Sequence, residues 1–186
     1  MQANLHSYKT RINQLLKDFG AQFQIPNIDF NYRGGLRSDY SLEMRGANIA
    51  LSGGVPDFKT SLSEGDKRTL AFAFFIASTE SDSNLSNKII IIDDPMCSLD
   101  LNRKQQTRTV LKRLYESSKQ LVIIAHDIHF LRNLRDDFRR PNIPNNIKFI
   151  KLKAVANRYS DFGEINIDHE CESAYFKSHR LLIGIS

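Results

Sequence analysis

Four short segments of this 186-residue chain carry residue types that can bind or act on a phosphate group. In chain order they are LSEGD (62–66), the acid pair DD (93–94), SLD (98–100) and AHD (125–127). Carboxylates hold Mg²⁺ and polarise water, and a helix N-terminus with serine and glycine offers backbone N–H groups to phosphate oxygens. Histidine can bind a negative charge that develops during a reaction. Each segment also has a purely structural interpretation.

The first segment opens a predicted helix. Ser63 suits the N-cap position and Asp66 stands three residues later, a spacing typical of a capping box. Between them Glu64 and Gly65 occupy the first helical positions. Taken alone this is an ordinary helix start; the functional alternative is that phosphate oxygens approach the N–H groups exposed there.

Two adjacent acids follow the run of four isoleucines at 89–92. An apolar, β-branched run of this length predicts a central strand covered on both faces, and ligands bind α/β sheets at the carboxyl ends of such strands. There Asp93 would hold Mg²⁺ through water and Asp94 would polarise an attacking water. The alternative is a strand that ends in a turn at Asp94-Pro95.

The remaining two segments are uninformative in isolation. SLD is compatible with a helix cap, and His126 ends a second predicted strand on the same sheet edge as the acids. A histidine at that place could bind phosphate charge, or it could be structural.

Hydrophobic periodicity predicts the elements that position these residues. A helix over 5–19 ends at Gly20, an antiparallel β region fills 21–60, and a helix at 64–79 that is apolar on nearly all sides should be buried. The later elements are predicted as strand 89–93, helix 101–118, strand 120–127, helix 128–140 and strand 146–155. Strands 89–93 and 120–125 should be adjacent and parallel, with 146–153 in or beside the same sheet.

In this order and spacing, the stretches SEGDKR (63–68), DDPMCSLD (93–100) and IIAHD (123–127) resemble the C-terminal lobe of ABC-type ATPases. The variant resembles the SMC and double-strand-break-repair branch, and most closely the bacterial ABC ATPases that include the anticodon-nuclease proteins. The resemblance covers roughly residues 15 to 155. It implies an α/β fold, the C-terminal lobe of a P-loop ATPase, with a parallel β/α core and an N-terminal antiparallel β region.

The resemblance also implies roles for the residues and a set of ligands. The 62–66 segment, with Ser63, Glu64, Gly65 and Asp66, corresponds to the signature motif, which contacts ATP held by the opposite head of a homo- or heterodimer. The implied ligands are ATP and Mg²⁺, with Asp93 as the Walker B acid that serves the metal. Asp94 stands where many members have a catalytic glutamate.

Three further residues receive roles from the same resemblance. Ser98 and Asp100 resemble the D-loop, which crosses the dimer interface, and His126 resembles the switch histidine that senses the γ-phosphate. Residues 1–20 resemble the end of a coiled-coil arm, 21–160 the lobe itself, and 161–186 a C-terminal extension that is predicted to be helical.

The phosphate-gripping Walker A loop has no match in this chain. The nearest stretch, GGVPDFKT (53–60), has Phe58 where the loop needs a second glycine to let the backbone wrap a phosphate. We therefore expect a separate lobe or subunit with Walker A to complete the head, the present chain being a fragment or one half of a split head. The chain alone is predicted to be inactive as an ATPase.

Composition narrows the remaining possibilities. There is no apolar run of membrane-spanning length, no signal peptide is visible, and only two cysteines are present, which predicts a cytoplasmic protein without a membrane partner. A net charge of +5 permits a nucleic-acid partner, and Arg132, Arg135, Arg139 and Arg140 form a basic helix face that is either solvated or a nucleic-acid contact. Defence and nucleic-acid-related roles both fit the resemblance. A non-enzymatic partner that lends its signature segment to another head is the other alternative.

Overall fold

A computed structural model of the chain describes residues 2–31, 37–49, 51, 58–95, 101–139, 146–155 and 159–172. Its helices are α1 (Gln2–Asp18), α2 (Phe58–Ser61), α3 (Glu64–Glu80), α4 (Leu101–Ser117), α5 (Ile128–Phe138) and α6 (Ile167–Cys171). Its strands are β1 (Phe23–Gln24), β2 (Ile28–Asn31), β3 (Arg37–Tyr40), β4 (Leu42–Met44), β5 (Ala47–Ile49), β6 (Ile89–Asp93), β7 (Gln120–Ile124), β8 (Ile150–Val155) and β9 (Tyr159–Glu164). The chain divides into two compact units, Met1–Ile124 and Ala125–Ser186. Within the described ranges every helix is too short or too polar to cross a membrane.

Helix α1 packs through the apolar positions that its periodicity predicts. The side chains of Ile12, Leu15, Leu16 and Phe19 are all buried. The helix ends as expected at Gly20, whose φ of 70° lies in the left-handed region that glycine enters without steric cost. The Gly20 N–H donates to the Lys17 carbonyl and the Ala21 N–H to the Leu16 carbonyl, the two bonds that define a Schellman motif.

The antiparallel β region forms between Phe23 and Ile49. Strands β1, β4 and β5 make one sheet in the order β1-β4-β5, and β2 pairs with β3 in a second. The glycine pairs that were expected to bound this region, at 34–35 and 53–54, lie outside the described residues. The Phe58 ring at the start of α2 lies under the Lys67 ammonium, 5.8 Å from the ring centroid, so this bulky residue is engaged in packing.

Helix α3 is buried on one side rather than on nearly all sides. Thr69, Leu70, Ala73, Ile76 and Ala77 are buried, whereas Phe75 is 40% exposed. Phe72 and Phe74 are half-buried, against Phe19 and against Tyr8 and Tyr40 respectively. Phe74 of α3 thus contributes to the contact with α1, while the five buried residues form a stripe on one side of the helix.

Strands β6 and β7 form the predicted parallel pair. The register runs from Ile89 opposite Gln120 to Asp93 opposite Ile124. The prediction that the isoleucine run is covered on both faces is wrong, because Ile89 and Ile91 are 56% and 63% exposed while Ile92 is 6% exposed. Side chains alternate between the faces of a strand, so one face of the pair is open and the other is packed.

We call the open surface of this pair the open isoleucine face. It is defined by the exposed residues Ile89, Ile91 and Ile124, with the half-buried Val122 between them. These four residues share a face because the register aligns Ile91 with Val122.

The second unit contains α5, α6 and the hairpin of β8 and β9. The predicted strand at 146–155 forms at Ile150–Val155, and within the described residues it pairs antiparallel with β9, in a sheet separate from the parallel pair. The expectation that 161–186 is helical is wrong at its start, since 161–164 belong to β9. Pairing with β8 along its full length overrides the weak local preference. Helix α6 follows, and residues 173–186 lie outside the described part of the chain.

Candidate functional site

The 62–66 segment caps helix α3 as the sequence predicts. Ser63 has extended backbone angles, its Oγ accepts from the Asp66 N–H at 3.1 Å, and its hydroxyl donates to the Asp66 carboxylate at 2.7 Å. Ser63 and Glu64 are exposed and Gly65 is half-buried. The start of the helix is therefore held in one geometry while its first side chains face solvent.

A lysine neutralises the acid at the first position of α3. The Lys67 ammonium lies 2.8 Å from the Glu64 carboxylate, and this hydrogen bond holds the pKa of that carboxyl below its ordinary value. The same ammonium lies over the Phe58 ring. Lys67 thus offsets the charge of Glu64, and the partial positive charge of the backbone at this helix N-terminus is what suits an anionic ligand.

An arginine links the start of α3 to the start of α4. The Arg103 guanidinium lies 3.5 Å from the Asp66 carboxylate, and both side chains are largely buried. Helix α4 begins at Leu101, directly after the SLD segment. Ser98 and Asp100 themselves lie outside the described residues, but the residues on either side of their loop are placed by α4 and by β6.

Sequence reasoning did not single out Arg103. A signal was present, because a positive charge in the first turn of a helix is opposed by the helix dipole and needs a compensating acid. The compensating acid is Asp66, thirty-seven residues earlier in the sequence. Only the tertiary structure identifies Asp66 as the acid that pairs with Arg103.

The two acids lie at the carboxyl edge of the parallel pair. Asp93 is the last residue of β6, opposite Ile124, and Asp94 follows it with its N–H donating to the Ile124 carbonyl at 2.8 Å. Both carboxylates are exposed, and Pro95 behind them is buried. Two adjacent carboxylates at an open sheet edge suit a hard cation that keeps part of its water shell, as Mg²⁺ does.

His126 is the second residue of the second unit and lies two residues after the end of β7. Its side chain is exposed. The neighbouring Asp127 has a structural role, because it caps α5 by accepting from the Phe130 N–H at 3.0 Å. The grouping of His126 with Asp93 and Asp94 stays a prediction.

The other candidate sites have structural explanations. In the part of the chain that the structure describes, no group of three or more acidic, histidine or cysteine side chains could hold a metal ion. The Cys171 thiol lies 3.7 Å from the Ile128 carbonyl, between α6 and α5. The earlier cysteine, Cys97, lies outside the described residues.

The basic face of α5 is largely occupied by acids. Arg135 is buried and makes a bidentate contact with Asp168, at 2.6 and 2.9 Å. Arg132 lies 3.5 Å from the same carboxylate, and Arg139 lies 3.9 Å from Asp136. Arg135 holds the pKa of the Asp168 carboxyl below its usual value. Arg132 and Arg135 thus stabilise the contact of α5 with α6, whereas the Arg139 pair lies within the α5 segment and Arg140 lies outside the described residues.

The comparisons with known proteins agree with this geometry. Residues 9–179 match the family model AAA_13, described as an AAA domain. The chain is 26% identical over 128 residues to a putative ABC transporter ATP-binding protein of Treponema denticola, covering 68% of this chain and 25% of that protein. It is 25% identical over 123 residues to the DNA double-strand break repair Rad50 ATPase of Sulfurisphaera tokodaii, covering 65% and 12% respectively. The chain thus spans a quarter or less of the length of these relatives.

Solved structures show the same fold. The Smc head domain of Pyrococcus yayanosii, with a coiled coil and joint, superimposes with a TM-score of 0.59 at 13% identity, over 90% of this chain and 28% of that one. A chain from a structural study of ATP-driven dimerisation and DNA-stimulated activation of SMC ATPases gives 0.57 at 14% identity, over 99% and 94%. The chain therefore belongs to the AAA_13 family and has the fold of an SMC/ABC-type ATPase head lobe.

Proposed function

We propose that this chain is the C-terminal lobe of an ATPase head that binds and hydrolyses ATP at a dimer interface once a lobe with Walker A completes it. The observation that carries the proposal is the acid pair Asp93–Asp94 at the carboxyl edge of the parallel strands β6 and β7. Ligands of α/β proteins bind at that edge, and the pair has the charge and exposure that a Mg²⁺-nucleotide needs.

In this proposal Asp93 serves the metal and Asp94 orients the attacking water. Mg²⁺ held there would neutralise part of the charge of the phosphate groups. Asp94 accepts a hydrogen bond from the water and holds it on the side of the terminal phosphate that faces away from the leaving group. His126 donates to the same phosphate, and its charge-assisted hydrogen bond strengthens as negative charge develops.

The start of α3 acts on the nucleotide of the partner head. Ser63 and Gly65 offer a hydroxyl and backbone N–H groups, while Glu64 and Asp66 are satisfied by Lys67 and Arg103 and so do not repel phosphate. Ser98 and Asp100 cross between the heads. The partners are the Walker A lobe and a second head, and the process is a nucleic-acid-related or bacterial defence one, as the resemblance implies.

The open isoleucine face is an observation in favour of a further lobe that packs against this chain. Three isoleucines of the only parallel pair in the described residues are more than half exposed. Exposed apolar surface of this kind in a folded domain commonly marks a site of association.

A non-enzymatic role as a donor of the 62–66 segment remains the second candidate. Asp93 and Asp94 favour the enzymatic role, because they serve a nucleotide bound by their own head. A nucleic-acid-binding face at α5 is disfavoured by the pairing of Arg135 with Asp168.

The test uses a head reconstituted from this chain and a Walker A lobe, sized with and without ATP. We expect Ser63→Arg to prevent ATP-driven dimerisation while a single head still binds ATP, because a bulky cation fills the site of the partner's phosphate. Asp94→Asn should trap the ATP-bound dimer and abolish turnover. The chain alone should show no turnover.

Two outcomes would contradict the proposal. Loss of single-head ATP binding in Ser63→Arg would show that Ser63 acts within its own head. Turnover by the pure chain that Asp94→Asn abolishes would show that the essential phosphate-binding loop does not lie in another lobe.

A further inference from the structure

One carboxylate joins three helices of the first unit. Glu80, the last residue of α3, receives two hydrogen bonds from Arg11 of α1, at 2.6 and 2.9 Å. Arg113 of α4 donates to the same carboxylate at 3.3 Å. We call these three residues the Glu80 cluster.

Local helix electrostatics do not favour this residue at this place. A negative charge at the C-terminus of a helix is repelled by the helix dipole, and the last turn of α3 contains no basic residue. The compensation comes from two arginines on other helices, 69 positions earlier and 33 positions later. The tertiary contacts with Arg11 and Arg113 thus compensate the unfavourable position of Glu80 at the end of α3.

The Glu80 cluster has a net positive charge, because two arginines share one carboxylate. The Nη2 atom of Arg113 is buried and has no hydrogen-bond partner. Arg11 donates two short hydrogen bonds to Glu80, and Arg113 donates one longer hydrogen bond to it. Glu80 is therefore needed by both arginines, and neutralising it would leave two guanidinium groups in mutual repulsion.

Helix α4 is attached to α3 at both ends. Arg103 meets Asp66 near the N-termini of the two helices, and Arg113 meets Glu80 nearer their C-termini. The two helices therefore run in the same general direction, with the 62–66 segment and the start of α4 at one end. Helix α1 is attached to the opposite end of α3.

We propose that Glu80 is a positioning residue that fixes the start of α3 and the start of α4 relative to α1. This inference rests on the proposed function, in which the start of α3 and the SLD segment directly before α4 contact the partner head. Loss of the Glu80 charge then loosens α4 and α1 together at one end of α3, so the surfaces at the other end no longer match a second head. A single head keeps its own nucleotide contacts.

The experiment measures ATP-driven dimerisation and single-head ATP binding of the reconstituted head with Glu80→Gln. We expect at least a tenfold loss of dimerisation affinity and less than a twofold change in single-head ATP binding. Lys88→Gln is the matched control, because it removes an ion pair with Asp82 just beyond α3 that connects no other helix. It should leave both quantities unchanged.

A charge-inverted variant separates positioning from general destabilisation. Arg11→Glu combined with Glu80→Arg and Arg113→Glu reverses every charge and keeps both contacts possible, so it should restore dimerisation to within threefold of the wild type. The inference is overturned if Glu80→Gln weakens dimerisation and ATP binding equally. It is also overturned if the wild-type head dimerises with ATP and the Glu80→Gln head dimerises equally well. A wild-type head that does not dimerise with ATP contradicts the proposed function instead.

Discussion

Asp94 occupies a backbone conformation that few residue types adopt readily. Its φ is 45°, in the left-handed region, where asparagine and aspartate are several-fold enriched among non-glycine residues. The short polar side chain can stabilise this conformation locally, which a longer or branched side chain does less well. The positive φ thus accounts for a short polar side chain at this position.

A substitution series at Asp94 tests this explanation in the isolated chain. Asn shares the tolerance of Asp for positive φ, so Asp94→Asn should change the free energy of unfolding by less than about 0.5 kcal/mol. Asp94→Val should cost about 1–2 kcal/mol, because a β-branched residue is strained there. Urea denaturation monitored by circular dichroism gives both values. Equal stability of the two variants would show that the turn relaxes.

At the scale of elements, hydrogen-bonded caps fix where α3, α5 and α6 begin. Ser63, Asp127 and Asn166 each accept a backbone N–H from the first turn of their helix. The first of these caps lies within the proposed phosphate-contacting segment, so a local structural rule and a functional requirement share one residue.

Removal of the Ser63 hydroxyl should therefore lower stability as well as function. We expect Ser63→Ala to cost about 1 kcal/mol in the free energy of unfolding, the usual value for an N-cap serine. Ser83→Ala, at an exposed position in the loop after α3, is the matched control and should be neutral. The same urea titration measures both. A neutral Ser63→Ala would mean that solvent replaces the cap without loss.

The contact of α5 with α6 should depend on pH. The hydrogen bond from Arg135 lowers the pKa of Asp168 in the folded protein below its ordinary value. A lowered folded-state pKa stabilises the fold above the unfolded-state pKa, and this contribution is lost as the pH falls through the folded-state value. Asp168→Asn should thus be less stable than the wild type at pH 7, and the difference should shrink below about pH 4.

Thermal unfolding at pH 7, 5 and 3 follows this difference. Asp136→Asn is the comparison variant, because the ion pairs of Asp136 in the described part of the chain are with Arg135 and Arg139 and not with α6. A difference between Asp168→Asn and wild type that stays constant down to pH 3 would show that the charge of Asp168 is not what joins the helices.

Element type and order followed from the sequence where periodicity was strong. Helix α1, the Gly20 stop, the capped start of α3 and the parallel pairing of β6 with β7 were all predicted. Strand β9 was missed because YSDFGE has no alternating apolar pattern and depends on β8 for its pairing. The contacts of Arg103 and Glu80 join residues far apart in sequence, and periodicity does not contain such information.

At the scale of the whole molecule, the open isoleucine face is an exposed apolar surface of the first unit. The sequence correctly indicated an apolar strand. The described residues, however, do not cover the second face of that strand. Ile91, 63% exposed, lies at the centre of this face. Exposed apolar strands promote association with other chains.

A charge on this face should keep the isolated chain monomeric. We expect the wild type to self-associate with rising concentration and Ile91→Glu to remain monomeric in analytical ultracentrifugation, without loss of folded-state ellipticity. The same variant should bind a Walker A lobe at least tenfold more weakly. Ser86→Glu adds the same charge outside the face and is the control. Unchanged binding of the lobe by Ile91→Glu would show that the lobe docks elsewhere.

The same exposed isoleucines affect how much of the protein accumulates in a cell. A polypeptide whose central strands stay uncovered until its counterpart arrives presents the features by which chaperones and proteases select their clients. Where the Walker A lobe proposed above is a separate chain, we expect the steady-state abundance of this chain to follow the supply of that lobe, with surplus copies degraded. The ratio of the two chains would then be set by turnover of the unassembled one, without a dedicated regulator.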